Sequence, residues 1–447
     1  MSAIFKILVI TFTALLTYKF ATLVNQQTSF KGDAKVYFMQ PPKLGYNLTN
    51  QSLLDKSIHK ILILKKSEQI KHHQVNYNSV LFKLFWQKLT MLPEHKAVKV
   101  WFFISILSQI VGLILLLQAF RLNIYYFIIP GIILALYNPV YITYLKSGQV
   151  GSLITLLTGA LCYLYSNNKN RIFAACLGFA IYFKYFLAGL LPILLKRYNL
   201  MLITILSFLL FMLIPLNFIE NQQLTLHFSF FNQEISIVTF ILKTLNTISS
   251  GLLGGITRAW LPNFGPQELP IYYILLAYCL LSILLFYKCL PYLNLLKQNK
   301  THIEKLKTIA ILFTLAAILN PLSWAYYFSL YLPSILLILY TIESRKNNKL
   351  WMLCFIIIIT LKLHIHSNLN LSKKLAEDIL FYSMTSFKNF WICYNQLLAN
   401  FSILYMTLTA PTITANKQIK KSTKYFYMIV LLMPLLSIKT LKLTSYT

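Results

Sequence analysis

Apolar residues run through this chain in long blocks, not in alternation. The first block, Ala3–Val24, is interrupted by Lys6 and Lys19. It has the length a bilayer crossing needs, about 20 residues of helix. A polar stretch, Asn25–Val98, follows. Further apolar blocks occupy Lys99–Phe120, Asn123–Tyr144, Val150–Tyr165 and Leu200–Phe218, with a broken block, Ile172–Leu195, before the last of these. A second polar stretch, Ile219–Glu268, carries amphipathic pieces. Blocks resume at Leu269–Lys288, Ile309–Leu319, Tyr326–Ile342, Leu350–Leu363, Phe387–Ala410 and Tyr425–Ile438. A membrane β-barrel would show short alternating segments instead. The pattern predicts an all-α polytopic membrane protein with roughly 11–13 transmembrane or half-spanning helices and a long first outer loop.

No repeat or low-complexity linker divides the chain, so residues 1–447 read as a single multi-pass membrane domain. Within it, residues 1–24 form a signal-anchor span, 25–98 an outer-face loop, 99–342 a core, and 343–447 additional C-terminal spans. The first block reads as an uncleaved anchor, because no small-residue cleavage site follows it and Lys19 sits late in the run.

Composition agrees with that reading. The chain is 57% hydrophobic and 12% charged, where soluble domains carry about 25% charge. Its 41 Lys+Arg against 11 Asp+Glu give a net charge of +30. This excess is spread over short loops, which suits a positive-inside arrangement against anionic lipid and no nucleic-acid partner. None of the six cysteines forms C-x-x-C, so neither a disulfide framework nor a zinc site is implied. His364 and His366 alternate, so they do not share a helix face, and no third ligand lies near in sequence.

Charge also orients the spans. Lys169 and Arg171; Lys196 and Arg197; Lys297, Lys300, Lys305 and Lys307; Arg345, Lys346 and Lys349; and Lys417, Lys420, Lys421 and Lys424 make five basic loops, all expected on the cytoplasmic side. A single crossing by Ile172–Leu195 would separate Arg171 from Lys196. Two short helices meeting near Lys184 keep both on one side. The polar stretches, Gly148-Gln149 and Asn320-Pro321-Leu322-Ser323-Trp324 then share the outer face.

Several clusters carry candidate chemistry. Asp33, in Gly32-Asp33-Ala34-Lys35-Val36-Tyr37, is a scarce carboxylate at a membrane edge and can act as a general base. From this residue alone, a solvated loop acid paired with Lys31 or Lys35 is the plainer reading. Lys184 is an intramembrane cation, suited to a lipid-linked phosphate, or a lysine whose stem snorkels to the interface. Gly148 and Gln149 begin a span, where they combine close backbone approach with an amide, or form a plain turn. Asn232 and Gln233 precede Arg258: amides suit sugar hydroxyls and guanidinium suits phosphate. Helix capping is their plainer role. Ser323, Trp324 and Tyr327 open a span and read equally as interfacial anchors.

Taken in order, these pieces resemble glycosyltransferase family 87, membrane transferases of the GT-C class that use polyprenyl-phosphate sugars. The resemblance rests on Gly32-Asp33 with Tyr37; on Leu92-Pro93, Ala97 and Trp101; and on Gly148-Gln149-Val150. It continues through Gly178, Lys184, Pro192, Lys196 and Arg197, then Asn232-Gln233 with Arg258, and Pro321-Leu322-Ser323-Trp324. It covers roughly residues 30 to 342, and boundaries of this kind are good to a few residues. The chain departs from the family at Glu234, where members have Ser, and at Ala325-Tyr326-Tyr327, where many have an acid and paired histidines.

The resemblance implies an inverting hexosyltransferase at the outer face of a bacterial inner membrane. It would move a hexose, mannose above all, from a polyprenyl-phosphate donor to a lipid-linked or envelope glycan acceptor. Asp33 would be the catalytic base. Lys184 and Arg258 would bind the donor phosphate. Tyr37, Gln149, Asn232, Gln233, Ser323, Trp324 and Tyr327 would shape the sugar and acceptor pocket. No cofactor or metal is implied. A lipid-linked substrate transporter or flippase, or a non-catalytic relative, is the alternative from another class.

Overall fold

The computed structural model describes residues 3–25, 80–122, 150–213, 271–293, 300–320, 325–341 and 387–411, with single positions and short runs between them. Among the described residues there is no strand, and the regular elements are all helical. The helices are α1 (Ala3–Asn25), α2 (Val80–Leu89), α3 (Glu94–Ala119), α4 (Gly151–Ser166), α5 (Asn170–Phe183), α6 (Tyr198–Leu213), α7 (Ile271–Leu293), α8 (His302–Leu319), α9 (Leu332–Thr341) and α10 (Phe387–Leu408). Two 3₁₀ segments, Tyr185–Leu194 and Ala325–Tyr331, precede α6 and α9. The expected blocks Asn123–Tyr144, Leu350–Leu363 and Tyr425–Ile438 lie largely or wholly outside the described residues.

By length and composition, α3 and the Leu275–Leu293 part of α7 are long and apolar enough to cross a membrane. The other apolar helices, α4, α5, α6 and the stretch through α9, are shorter. Only 6% of the α7 stretch is buried, against 56% for α3. Leu276, Leu280, Ile283 and Leu284 of α7 face outward, as do Ile4, Ile7, Leu8 and Ile10 of α1.

Local chemistry sets the helix ends. Pro93 caps α3, and its carbonyl accepts from the N–H of Lys96 (2.9 Å) and Ala97 (3.0 Å). Glu94 then adds a negative charge at the positive end of the helix dipole. That start precedes the expected one at Lys99. α8 opens on a reciprocal capping box: the Glu304 N–H donates to Thr301 Oγ1 at 3.3 Å, and the Thr301 N–H donates to Glu304 Oε2 at 2.7 Å. The box carries the helix well ahead of the apolar run that begins at Ile309. Pro333 sits in the first turn of α9, where its missing N–H costs little. The expected continuous helix Tyr326–Ile342 is accordingly split into a 3₁₀ segment and α9.

One end of the bundle gathers several chain turns. The C-termini of α3 and α4 both lie there: His302 Nε2, at the start of α8, meets the Ala119 carbonyl at 2.8 Å, and Lys305 Nζ donates to Asn168 Oδ1. α7 ends there too, its Leu293 carbonyl accepting from Thr308 Oγ1 (3.0 Å) and Lys300 Nζ (3.1 Å). The end of α10 joins them through Lys307 Nζ and the Ala410 carbonyl, 2.6 Å apart. Arg197 lies within electrostatic reach of Tyr165 and Lys305. The segment after Lys184 therefore returns to the end from which α5 set out. The broken-block expectation is met: residues 170–195 form a hairpin of two short helical pieces.

α6 leaves the basic end again, parallel to α5. Thr204 Oγ1 donates to the Ala174 carbonyl at 3.0 Å and Ser207 Oγ to the Ala175 carbonyl at 2.7 Å, while the Phe179 and Phe211 rings pack 4.6 Å apart further along. α3 and α4, also parallel, meet through glycine: a Cβ on Gly159 would sit 2.2 Å from the Gly112 carbonyl oxygen. Such close backbone approach is the small-residue packing that membrane helices favour.

Candidate active site around the Lys184 break

Lys184 is the hinge between α5 and the first 3₁₀ segment. Its backbone is extended (φ −146°, ψ 104°), so the α-helix stops at Phe183. Its own groups bridge the break. The Lys184 N–H donates to the Ala180 carbonyl at 2.8 Å, and its carbonyl accepts from the Leu187 N–H at 3.0 Å. Pro192 lacks a donor, which suits the tighter and less regular return segment. At 1.5 Å per residue the 14 residues of α5 rise about 21 Å, and at 2.0 Å the 10 residues of the return segment descend about 20 Å. The lengths match, so Lys184 stands at the tip of a closed hairpin.

The tip is enclosed. Lys184 is 7% exposed, a value at which a lysine is normally paired or functional. On one side, Phe183 meets Phe82 of α2 edge-on, ring centroids 6.2 Å apart. Phe82 also packs on Trp86 (6.1 Å) and Trp101 (5.9 Å), and the two tryptophans lie 5.3 Å apart. On the other side, Phe186 packs against Tyr327 at 4.6 Å. A Cβ on Gly189 would come 3.1 Å from the Ala316 Cβ, so the return segment lies tightly on α8.

Of the residues singled out from sequence, Lys184 and Tyr327 are therefore brought to one region. Asp33, Tyr37, Gln149, Asn232, Gln233, Arg258, Ser323 and Trp324 lie outside the described residues. The immediate neighbours of some are described. Val150, after Gln149, is buried at the start of α4, away from the basic end. Asn320, ahead of Ser323, is buried at the end of α8. Sequence reading placed residues 80–98 in a loop and missed α2 altogether. The signal was present in Phe82, Phe85 and Trp86, spaced three and four apart as on one helix face.

This arrangement joins a buried cation, an aromatic wall and backbone bent away from regular helix. An enclosed cation stabilises developing negative charge far more strongly than a solvated one, because little water competes for it. Aromatic rings supply apolar faces for a sugar or a prenyl chain. No protein-family model, curated protein or solved structure gives a match to the chain.

Proposed function

We propose that the chain is a multi-pass membrane glycosyltransferase. It transfers a hexose, with mannose as the first candidate, from a polyprenyl-phosphate donor to a lipid-linked or envelope glycan, inverting the anomeric carbon. The observation that carries this reading is Lys184, a lysine enclosed at the tip of a hairpin too short to span a bilayer. Irregular backbone of this kind is tolerated at membrane depth where protein or a cavity surrounds it. A mid-bilayer lysine costs about 2.5–3.5 kcal/mol on insertion scales, and such residues mark substrate paths by default. The outward apolar faces of α1 and α7 support the membrane part of the reading. The ordered likeness to glycosyltransferase family 87 supports the chemistry.

In the proposed mechanism the acceptor hydroxyl oxygen attacks the anomeric carbon while Asp33 takes its proton. The bond from that carbon to the phosphate oxygen breaks, and polyprenyl phosphate leaves with the electron pair. Lys184, with Arg258 as a second donor, holds the charge that develops on the leaving phosphate. A lone phosphate leaving group needs no metal when lysine supplies the charge. Gln149, Asn232, Gln233, Ser323, Trp324, Tyr327 and Tyr37 contact the sugar and acceptor.

The test is turnover of a polyprenyl-phosphate mannose by the full-length chain in detergent or proteoliposomes, with release of free polyprenyl phosphate as the readout. Asp33→Asn is expected to abolish release. Vectorial movement of the intact donor without bond cleavage would identify a flippase instead. Retention of anomeric configuration in the product would rule out single displacement.

A further inference from the structure

The basic end of the bundle has features that transfer chemistry at Lys184 does not use. α3 and α4 end in the same hydrogen-bonded motif. The Leu122 N–H reaches the Leu117 carbonyl (2.9 Å) and the Arg121 N–H the Gln118 carbonyl (3.0 Å), as Lys169 reaches Leu164 (2.9 Å) and Asn168 reaches Tyr165 (3.3 Å). The return segment closes in a turn, the Arg197 N–H donating to the Leu194 carbonyl at 2.9 Å. Each of these ends needs one residue with positive φ, the position where glycine is ordinarily favoured. The chain instead places Arg121 (φ 52°), Asn168 (φ 61°) and Lys196 (φ 66°) there. Two of those three positions thus keep a long cationic side chain where the backbone would favour none.

Arg121 converges with Arg197 and Lys305, and Lys196 precedes Arg197 in the same turn. Arg121 acts electrostatically on His302, and Arg197 acts on Lys305, which is itself hydrogen-bonded to Asn168. The carboxylate in this turn, Glu304, accepts from the Thr301 N–H in the capping box. Apolar side chains flank the cations and face outward: Ile172 is 58% exposed, Leu195 48% and Tyr198 83%. Clustered positive charge beside exposed aliphatic and aromatic side chains fits a ligand with an anionic head and a hydrocarbon body.

We propose that Arg121, Lys196, Arg197 and Lys305 form a binding site for the headgroup phosphate of an anionic phospholipid, whose acyl chains lie along Ile172, Leu195 and Tyr198. The proposal rests on the membrane part of the functional reading and not on the transfer chemistry. A soluble phosphate ester would satisfy the cations but would leave the outward apolar flank unused.

The test is native mass spectrometry of the delipidated full-length chain, titrated with phosphatidylglycerol or phosphatidylcholine. Phosphatidylglycerol is expected to bind at least tenfold more tightly. The double variant Arg121→Gly with Lys196→Gly relieves both positive-φ positions, so it keeps the fold while removing two cations. It is expected to lose most of that preference. Lys96→Gln, at the opposite end of the bundle, is expected to retain it. Equal affinity for the two lipids overturns the proposal, as does equal loss in Lys96→Gln. Binding of glycerol phosphate as tight as that of the lipid would show that the ligand is soluble and would likewise overturn it. Recovery of the chain without detergent in a soluble fraction would refute the membrane reading itself, an outcome distinct from equal lipid affinities in detergent.

Discussion

Phe186 meets Tyr327 nearly edge-on, ring centroids 4.6 Å apart at an interplanar angle of 67°. This contact ties the return arm of the Lys184 hairpin to the 3₁₀ segment that follows α8. Both rings are largely buried, with Tyr327 4% and Phe186 8% exposed. Tyr327→Ala is expected to lower stability by about 3–5 kcal/mol, the range for truncating a buried aromatic. Tyr327→Phe keeps the ring and should stay within about 1.5 kcal/mol of the parent, the scale of one hydrogen bond. Thermal unfolding of the detergent-solubilised chain distinguishes the two. Equal loss in both variants would mean that the hydroxyl, not the ring, holds the segment.

Replacing Lys184 separates chemistry from folding. Lys184→Gln is expected to reduce transfer by about 10²–10³-fold, as does loss of one donor that stabilises transition-state charge. Its unfolding midpoint, measured beside turnover, separates loss of the charge at the site from loss of the fold. Near-normal turnover would remove Lys184 from the donor-phosphate site. A collapse of stability with no change in specific activity would make it a structural residue.

The α3–α4 contact gives a packing prediction. In Gly159→Ala the new methyl carbon would lie 2.2 Å from the Gly112 carbonyl oxygen, a backbone atom that moves only with its helix. Overpacking of that kind costs about 1–3 kcal/mol. Gly189→Ala meets the Ala316 Cβ at 3.1 Å, a contact that needs a shift of tenths of an ångström. It should cost clearly less. A reversed order in unfolding midpoints would show that the two helices separate more readily than their backbone contact implies.

His302 gives the basic end a pH dependence. It lies in the polar turn ahead of Ile309, bonded to the Ala119 carbonyl at 2.8 Å. Burial, then the nearby Arg121 charge, holds its protonation below the ordinary histidine value of 6.5. Its folded-state pKa is depressed, so the unfolded chain takes up the proton first as pH falls. The contribution to stability is full above the ordinary range and is lost on acidification through it towards the lower folded value. His302→Gln should therefore show a flatter loss of stability below pH about 6.5 than the parent. Parallel stability curves from pH 8 to 5 would exclude this role.

Much of the helical order was legible in the sequence. Blocks such as Lys99–Phe120 and Leu269–Lys288 are mostly apolar over about 20 residues, so composition and length alone announce helices. The broken block was legible because a single crossing would have set Arg171 and Lys196 on opposite sides. The aromatic wall was not, because it depends on Phe82, Trp101 and Phe183, which are distant in sequence and meet only when three elements pack. Helix limits were also misjudged where polar residues sustain a helix: the Thr301–Glu304 box extends α8 ahead of its apolar core, and Pro333 divides the block after it.

By itself, then, the sequence determined the helical class and the placing of Lys184 at a break, because hydropathy and charge act locally along the chain; of the expected basic loop at Lys297–Lys307, Lys305 and Lys307 instead lie within α8. Only the tertiary structure decided that Tyr327 reaches Phe186 and that Phe82 of α2 closes on Phe183 beside Lys184. It alone brought Arg121, Arg197, His302 and Lys305 together from three separate turns. Those outcomes depend on which helix faces are complementary in shape, as where the backbone at Gly159 closes onto Gly112, and such complementarity is a property of pairs of helices that neither helix carries alone.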